Sequence, residues 1–594
     1  MPVTEYIPEY PKPNATSDTS KDAAMPNFSK PLQPSRFPSS FDQLGKLGNE
    51  HVPATPCYLD SDKRIPAPDL YAYNGIPQFQ PLPVLGSHDV FQLRDDVCFD
   101  RYSRYGPYGL GYSTDDGGTG KGILQKSDKG YDHVWQEAGY TDYRNIDWGN
   151  AQSRCYRANK HRFYTGNEKT PTNGGNSVSG KYQRQAVVIR TYTGYKWTQY
   201  AILNFRAMIN EVSLKSGGQF DVHFLVHVRD TNIAIWNDAK ERQSILDSNI
   251  PKEFHSLCTL WSEAQMKQYY PGDFGDNVEN IAGSDIYTVY RSGQMPLQHF
   301  AIHHPEYAHF WNWEMDLRYI GSYYELLSKI GNWAAKQSRT MMWERSSTYY
   351  IPGLHGSWED FSKHVENSVR ISEHQPITAA VEFNKNDTID CIIEDYLPES
   401  CKGDKDASQC GVGEPADLIT LNPIFDVQDS GWVFSKDITG YNITEGSELP
   451  PRRSTIVTAN RLSRRLLDIM HQETMDKHHS MFTEMFPPSI ALHYGLKAVY
   501  APHPIYFDRA WNLEKVNRIF NGGKHNTSSG PGSPFDPGNE HNHKGTTYYY
   551  HAEFAGMLWR RWLGLSKGEK KGNAEGRTRL CLRSMLIHPV KWEE

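Results

Sequence analysis

The sequence predicts an α/β fold, a mostly parallel sheet with helices on both faces, preceded by a loop-rich N-terminal extension. Two observations carry this. A strand, a helix and a second strand follow one another from Gln185 at the spacing of a βαβ unit, and further short apolar runs alternate with helical patterns up to about Arg509. Parallel strands need such crossovers, and helices then bury both faces of the sheet.

From Met1 to about Asp62 the chain is rich in Pro, Ser, Asn and Asp, too polar to bury a core, and reads as a disordered or stem-like tail. Residues 63–184 carry short apolar runs, many tyrosines and Gly-dense patches, an extension packed on the main body. Its GTGKG, ending at Gly122, is no phosphate loop, because Gly rather than Ser or Thr follows Lys121 and no apolar strand precedes it. The main domain spans 185–510. Ala186 to Tyr192 is a β-branched strand, and Ile202, Phe205, Met208, Ile209 and Val212 recur at helical spacing. Ser216 to Gly218 stops that helix, and Asp221 to Asp230 is the second strand. Further strands are expected at Phe310–Trp313, Leu418–Leu421, Ile456–Thr458 and Ala498–Ala501, with helices at Ser262–Tyr269, Gly321–Gln337, Ala459–Gln472 and Ser489–Tyr494. Residues 511–594 form a Gly- and Asn-rich loop and an aromatic capping segment, with a last strand in Cys581–Trp592.

A net charge of -7 and the lack of a long basic stripe argue against nucleic-acid binding. No stretch is long and apolar enough to span a membrane, and the first thirty residues read as neither signal peptide nor anchor. N-x-[ST] acceptors at Asn14, Asn27, Asn386, Asn442 and Asn526 point the other way, toward a lumenal protein. Of the eight cysteines, Cys391, Cys401 and Cys410 cluster in one polar loop, where any two could pair or all could be free thiols. The 15 Trp and 36 Tyr would serve as platforms for sugar rings or simply as core.

Ligands of open α/β sheets bind beyond the carboxyl ends of strands, which directs attention to Arg190, Thr191, Asp230, Glu314, Asp316 and Asp426. Glu314 and Asp316, in FWNWEMDLRYIG, stand at i and i+2 after an aromatic strand and face the same side. Such a pair suits a hard divalent cation, Mn or Mg, that also binds a diphosphate. About eight acid-x-acid pairs are expected by chance among 70 acidic residues, so the position after the strand carries the argument, against an ion-pair network with Arg318. Arg190 and Thr191 are placed to grip a nucleotide, and Asp230 to accept from a nucleoside; a salt bridge and a loop cap are their alternatives. Glu484 lies in a mixed apolar and His setting where burial would raise its pKa for general-base work, unless it is a paired structural carboxylate. His541, His543 and His551 offer imidazoles to a metal or phosphate, or a plain His-bearing loop. No GxSxG, HExxH, EF-hand or dinucleotide motif in its proper context appears.

The blocks RTYTGYKWTQYAILNFRAMINEVSLKSGG, FLVHVRD, LWSEAQM, FWNWEMDLRYIGSYYELL, MMWERSSTYYIPGLHGSW, ANRLSRRLLDIMHQE and MFPPSIALHYGLKAVYAPHPIYFDR resemble an uncharacterised fungal family, domain of unknown function 3405, over most of Arg190 to Trp562. The chain is also similar to GT-A glycosyltransferases, whose Rossmann-like fold opens with a nucleotide-binding half and places an Asp-x-Asp motif after a central strand. That resemblance implies metal binding by Glu314 and Asp316, with His551 as a late ligand, and a Golgi or secretory-pathway lumen. Two departures stand: the first acid is Glu, and no N-terminal anchor is read, which keeps the cytoplasm open.

The expected function is metal-assisted transfer of a sugar from a nucleotide-sugar donor to a glycan or protein hydroxyl, with Glu484 as base. Two other classes stay open: a non-catalytic carbohydrate-binding or scaffold protein, and a metal-dependent hydrolase or phosphotransferase built on the His cluster.

Overall fold

A computed structural model describes residues 34–38, 54–75, 80–120, 133–164, 181–372, 375–381, 398–402, 406–441, 443, 448–565, 580–591 and 593. The tail reading of residues 1–33, Lys121, Gly122 and Cys391 fall outside these.

A seven-stranded sheet organises the molecule: β1 (Gln185–Tyr192), β2 (Phe220–His227), β3 (Cys258–Trp261), β4 (His309–Glu314), β5 (Leu418–Thr420), β6 (Asn460–Ser463) and β7 (Ala498–Tyr500). Its spatial order is β7-β5-β6-β4-β1-β2-β3, so β4 is the central strand. Every neighbouring pair is parallel except the two made by β6, which runs against both β4 and β5. The sheet is mostly parallel, as the alternating pattern predicts. Its strands are covered on both faces, which is why AVVI in β1 is a continuous apolar run with every residue buried.

Helix α1 (Gln199–Val212) begins where the Thr198 side chain accepts the Ala201 N–H at 3.0 Å, and crosses back so that β2 lies beside β1. After β3 the chain returns to the other side of β1 as β4, making the β1/β4 boundary the switch point, beyond whose carboxyl end open α/β sheets bind their ligands. Helices α2 (Tyr323–Lys336), α3 (Met342–Ser346), α4 (Trp358–Ile371), α5 (Arg464–Asp476) and α6 (Phe486–His493) follow in chain order, and α7 (Glu553–Trp562) precedes the C-terminal strand.

Two expectations shift, and one strand was not foreseen. The expected strand Ile456–Thr458 is a loop, and the expected helix from Ala459 is first β6, NRLS, with α5 starting only at Arg464. Asn, Arg and Ser give no β-branched signal, and β6 is held by ladders on both sides rather than by its own propensity. The short strand β3 carries too few residues to have shown a period.

The extension is tied to the body by buried polar contacts. Arg104 meets Glu211 of α1 at 2.6 Å, and Tyr108 donates to the same carboxylate at 3.1 Å. Gln152 exchanges two amide hydrogen bonds with Val222, satisfying the stretch of β2 that precedes its pairing with β3.

Disulfides join Cys57 to Cys155, Cys98 to Cys581, and Cys401 to Cys410. The polar-loop pair is one of those the sequence left open; the other two bring together cysteines too distant in sequence to be matched by spacing. Three disulfides point to an oxidising, secretory-type environment. Among the described residues no helix is long and apolar enough to cross a membrane.

The Cys98–Cys581 bond is buried and fastens the extension to the C-terminal strand Met585–Ile587. Replacing both cysteines by serine is expected to cost about 2–5 kcal/mol of stability, read as a lower Tm. An unchanged Tm would show that the C-terminal strand docks without it.

Candidate metal centre

The central strand β4 ends in Glu314, and Arg318–Ile320 follows after a tight turn. That short strand pairs antiparallel with Met585–Ile587, and the Val590 N–H donates to the Asp316 carbonyl at 2.8 Å. The C-terminal segment therefore lies alongside the acid-x-acid segment and delivers His588 to it. Gly321 permits the approach: its φ is +134°, and a Cβ there would stand 2.7 Å from the Ser584 Cβ and 2.8 Å from the Tyr319 ring.

Glu314, Asp316 and His588 form a three-ligand group whose ligating atoms all lie within 4.8 Å of one another. His588 Nε2 is 2.8 Å from Glu314 Oε2 and 3.4 Å from Asp316 Oδ1. Its other nitrogen, Nδ1, lies 3.1 Å from the Tyr549 carbonyl, which holds the proton on Nδ1 when the ring is neutral and turns Nε2 toward the carboxylates. Both carboxylates keep contact with solvent while the imidazole is buried. Two carboxylate oxygens and one oriented imidazole suit Mn or Mg, with remaining positions left to substrate or water.

The electrostatics are those of a preformed ionic cluster. Burial would raise the Glu314 carboxyl, but His588, Arg190 and the Thr458 hydroxyl outweigh it and hold the carboxyl well below the usual carboxylate range. Burial would lower the His588 imidazole, yet Asp316 and Glu314 push it up to about 10.

Arg190 stands opposite Glu314 in the β1/β4 register and donates to its Oε1 at 2.7 Å. It thus acts on the acid pair, the salt-bridge alternative, rather than standing free for a nucleotide. Thr191 is buried, and its hydroxyl has no partner among the described residues. Asp230 is exposed past the end of β2 and accepts from the Asn232 backbone and side chain, both at 3.0 Å, which is the loop-cap alternative. Asp426 pairs with Arg453 at 2.7 Å. Arg318 is fully buried on Glu593 at 3.0 Å, so it does not form the ion-pair network with Glu314 and Asp316 that was the alternative.

The loop at Ile456–Thr458, expected as a strand, links this cluster to Glu484. Thr458 Oγ1 donates to Glu314 Oε1 at 2.9 Å, while the Val457 N–H donates to Glu484 Oε1 at 2.7 Å. Val457 has φ +69°, a left-handed conformation that a β-branched residue rarely takes. Two asparagine amides enforce it, Asn312 donating to the Thr458 carbonyl at 2.9 Å and Asn422 to the Ile456 carbonyl at 3.0 Å. Backbone strain held this firmly is a mark of functional sites. Glu484 keeps some solvent contact but is deeply surrounded: burial pushes its carboxyl up to about 8, with Glu314 and Glu540 adding to the rise and the Val457 N–H and Arg190 opposing it. Glu540, absent from the sequence reading, receives the Tyr549 and Tyr550 hydroxyls on its two oxygens, each at 2.9 Å.

His551 lies outside the three-ligand group, as do His541 and His543. His543 is buried and stacked on Tyr549 at 3.8 Å between centroids, and burial pushes it down to about 3. His541 is exposed, and among the described residues its ring meets the Gly538 carbonyl, at 3.0 Å. The late imidazole is thus His588 in place of His551. The expected C-terminal strand, Cys581–Trp592, placed His588 inside it, so the residue-after-strand rule could not single it out; the observed strand ends at Ile587. His588→Asn is expected to weaken Mn binding by at least about 100-fold and His551→Asn by less than about 3-fold, by calorimetric titration; equal losses would remove His588 from the ligand set.

Residues 98–592 match the family described as "Protein of unknown function (DUF3405)". No curated protein matches the chain.

Proposed function

The chain belongs to the DUF3405 family over most of its length, and from that premise we propose that it is a GT-A-like glycosyltransferase moving a sugar from a nucleotide-sugar donor to a glycan or protein hydroxyl. The observation that carries the reading is the Glu314, Asp316 and His588 group at the end of the central strand, with Glu484 one loop away. An acid-x-acid pair after a central strand, next to a βαβ half, is the arrangement on which the GT-A resemblance rests.

Glu314, Asp316 and His588 would hold a divalent cation, which supplies charge stabilisation to a departing nucleoside diphosphate. Arg190 and Thr458 fix the rotamer of Glu314 through Oε1, which leaves its second oxygen beside His588 Nε2. Glu484, with its carboxyl near 8, is poised to take the proton of an acceptor hydroxyl as that oxygen bonds to the anomeric carbon and the bond to the diphosphate breaks. Tyr548 is buried with no partner for its hydroxyl among the described residues; burial raises its pKa and the charges of Glu314 and Asp316 add to the rise, so it stays protonated beside the metal group.

Fungal origin and a Golgi location belong to the same proposal; the disulfides support an oxidising lumen. The test is a screen of UDP- and GDP-sugars with Mn or Mg, reading thermal shift and release of nucleotide. Metal-dependent release supports the reading; no response to any donor from folded protein would overturn it in favour of a binding protein.

A further inference from the structure

Four of the N-x-[ST] acceptors, Asn14, Asn27, Asn386 and Asn442, lie outside the described residues. The remaining one, Asn526-Thr527-Ser528, lies within them, on the loop after the helix Leu513–Phe520. Its surroundings therefore separate a usable site from a chance match. The loop is pinned on both sides of Asn526. The Lys524 N–H donates to the Ser529 carbonyl at 2.6 Å, and the Thr527 hydroxyl donates to the Lys524 carbonyl at 2.7 Å. The Ser528 N–H and hydroxyl both donate to the Ser347 carbonyl, just past α3, at 2.8 and 2.6 Å. On the α4 side the Ser368 hydroxyl donates to the His525 carbonyl at 3.4 Å.

Asn526 stands at the tip of this framework, exposed, and its carboxamide makes no hydrogen bond among the described residues. An asparagine that shapes a turn usually closes a bond from its side chain to the backbone two residues on. Asn526 does not, so its Nδ2 is left to solvent. Its φ of +59° supplies a structural reason for asparagine here, but glycine meets that need at least as well. Ser528 fixes the timing of any reaction at Asn526. The hydroxyl at this position of the motif must be reachable when the acceptor is read, yet in the folded chain Ser528 is fully buried on Ser347. Modification therefore precedes docking of the loop.

We propose that Asn526 is an N-glycosylation site, modified as the chain enters the secretory lumen by a polyprenyl-diphosphate-linked oligosaccharide. Asn526 Nδ2 gives up a proton and bonds to the anomeric carbon at the reducing end of the glycan. The bond from that carbon to the diphosphate oxygen breaks, and the lipid diphosphate leaves with the electron pair. The disulfides Cys57–Cys155, Cys98–Cys581 and Cys401–Cys410 fit the compartment in which this chemistry occurs. The acceptor is the protein's own asparagine and the enzyme is the host's, so the site stands whether or not the metal centre transfers sugar. A glycan here keeps the face around the 524–529 loop in solvent and out of reach of a protein partner.

The test expresses the full chain behind a cleavable secretion leader in a eukaryotic host and reads the leader-cleaved pool by mass spectrometry. Trypsin cuts after Lys524 and Lys544, and the peptide between them carries no other acceptor. Enzymatic release of glycans in heavy-oxygen water should convert Asn526 to labelled aspartate in most molecules. Asn526→Gln and Ser528→Ala should each abolish the label, while Thr527→Ala should keep it, because the motif survives. The digest reads denatured chain, so a Ser528→Ala variant that folds poorly still reports. Asn526→Gly preserves the left-handed turn and should lose the label with its thermal melt unchanged from that of the deglycosylated parent. Unmodified Asn526 in most leader-cleaved chains, or a label that survives Ser528→Ala, would overturn the proposal.

Discussion

Replacing Glu314 and Asp316 together by alanine is expected to lower metal-dependent nucleotide release by on the order of 1,000-fold and to abolish saturable Mn binding. The effect is large because two of the three ligands in the only such group among the described residues are removed at once. It also leaves the buried His588 and the partly exposed Arg190 without their carboxylate partners. Losing one side of a fully buried ion pair costs roughly 3–5 kcal/mol; solvent contact at the two carboxylates reduces that here, and the alanine variant should still melt earlier. Glu314→Gln with Asp316→Asn keeps the shape and most hydrogen-bond positions, and is the variant that isolates metal loss from unfolding. Mn titration by calorimetry and release of UDP or GDP are the readouts. Retention of Mn affinity in the folded amide variant would sink the metal assignment.

Glu484→Gln should separate binding from transfer. Donor and metal binding should remain within a few-fold, while transfer to an acceptor falls by about 100- to 10,000-fold, the usual range for loss of a general base. In the unsubstituted protein, transfer should rise with pH through about 8 as Glu484 ionises, and this limb should vanish in the variant. Stability follows with a definite sign. The folded carboxyl titrates near 8 and the free one near 4.5, so between those values the folded state holds more protons than the unfolded chain. The stabilising contribution is therefore complete below pH 4.5 and is lost as pH rises through 8. Glu484→Gln, always neutral, should melt higher than the parent at pH 9 by the equivalent of roughly 1–3 kcal/mol, in buffer containing chelator, with solvent contact reducing the full ~1.4 kcal/mol per unit. A glutamine variant with unchanged transfer and the same pH profile would remove Glu484 from the base role.

The fold was legible wherever a segment carries its own signal. AVVI in β1, the helical spacing of α1 and the aromatic run FWNW in β4 each satisfy their burial within a few residues, so local pattern and tertiary role agree. Glu314 and Asp316 stood out for the same reason, since a strand end can be located from sequence. Where tertiary pairing overrides local preference the reading failed, as in β6, whose NRLS has the composition of a loop and is a strand only because β4 and β5 flank it.

The sequence by itself determined the α/β class, the position of the acid pair after a strand, and the prospect of a raised Glu484 carboxyl. Only the tertiary structure decided that His588, 272 residues beyond Asp316, completes the group instead of His551, that Arg190 serves Glu314, and that Cys98 pairs with Cys581. The physical reason is common to all three: a ligand set or cross-link depends on distances of a few ångströms between segments whose separation along the chain carries no information about their approach in space.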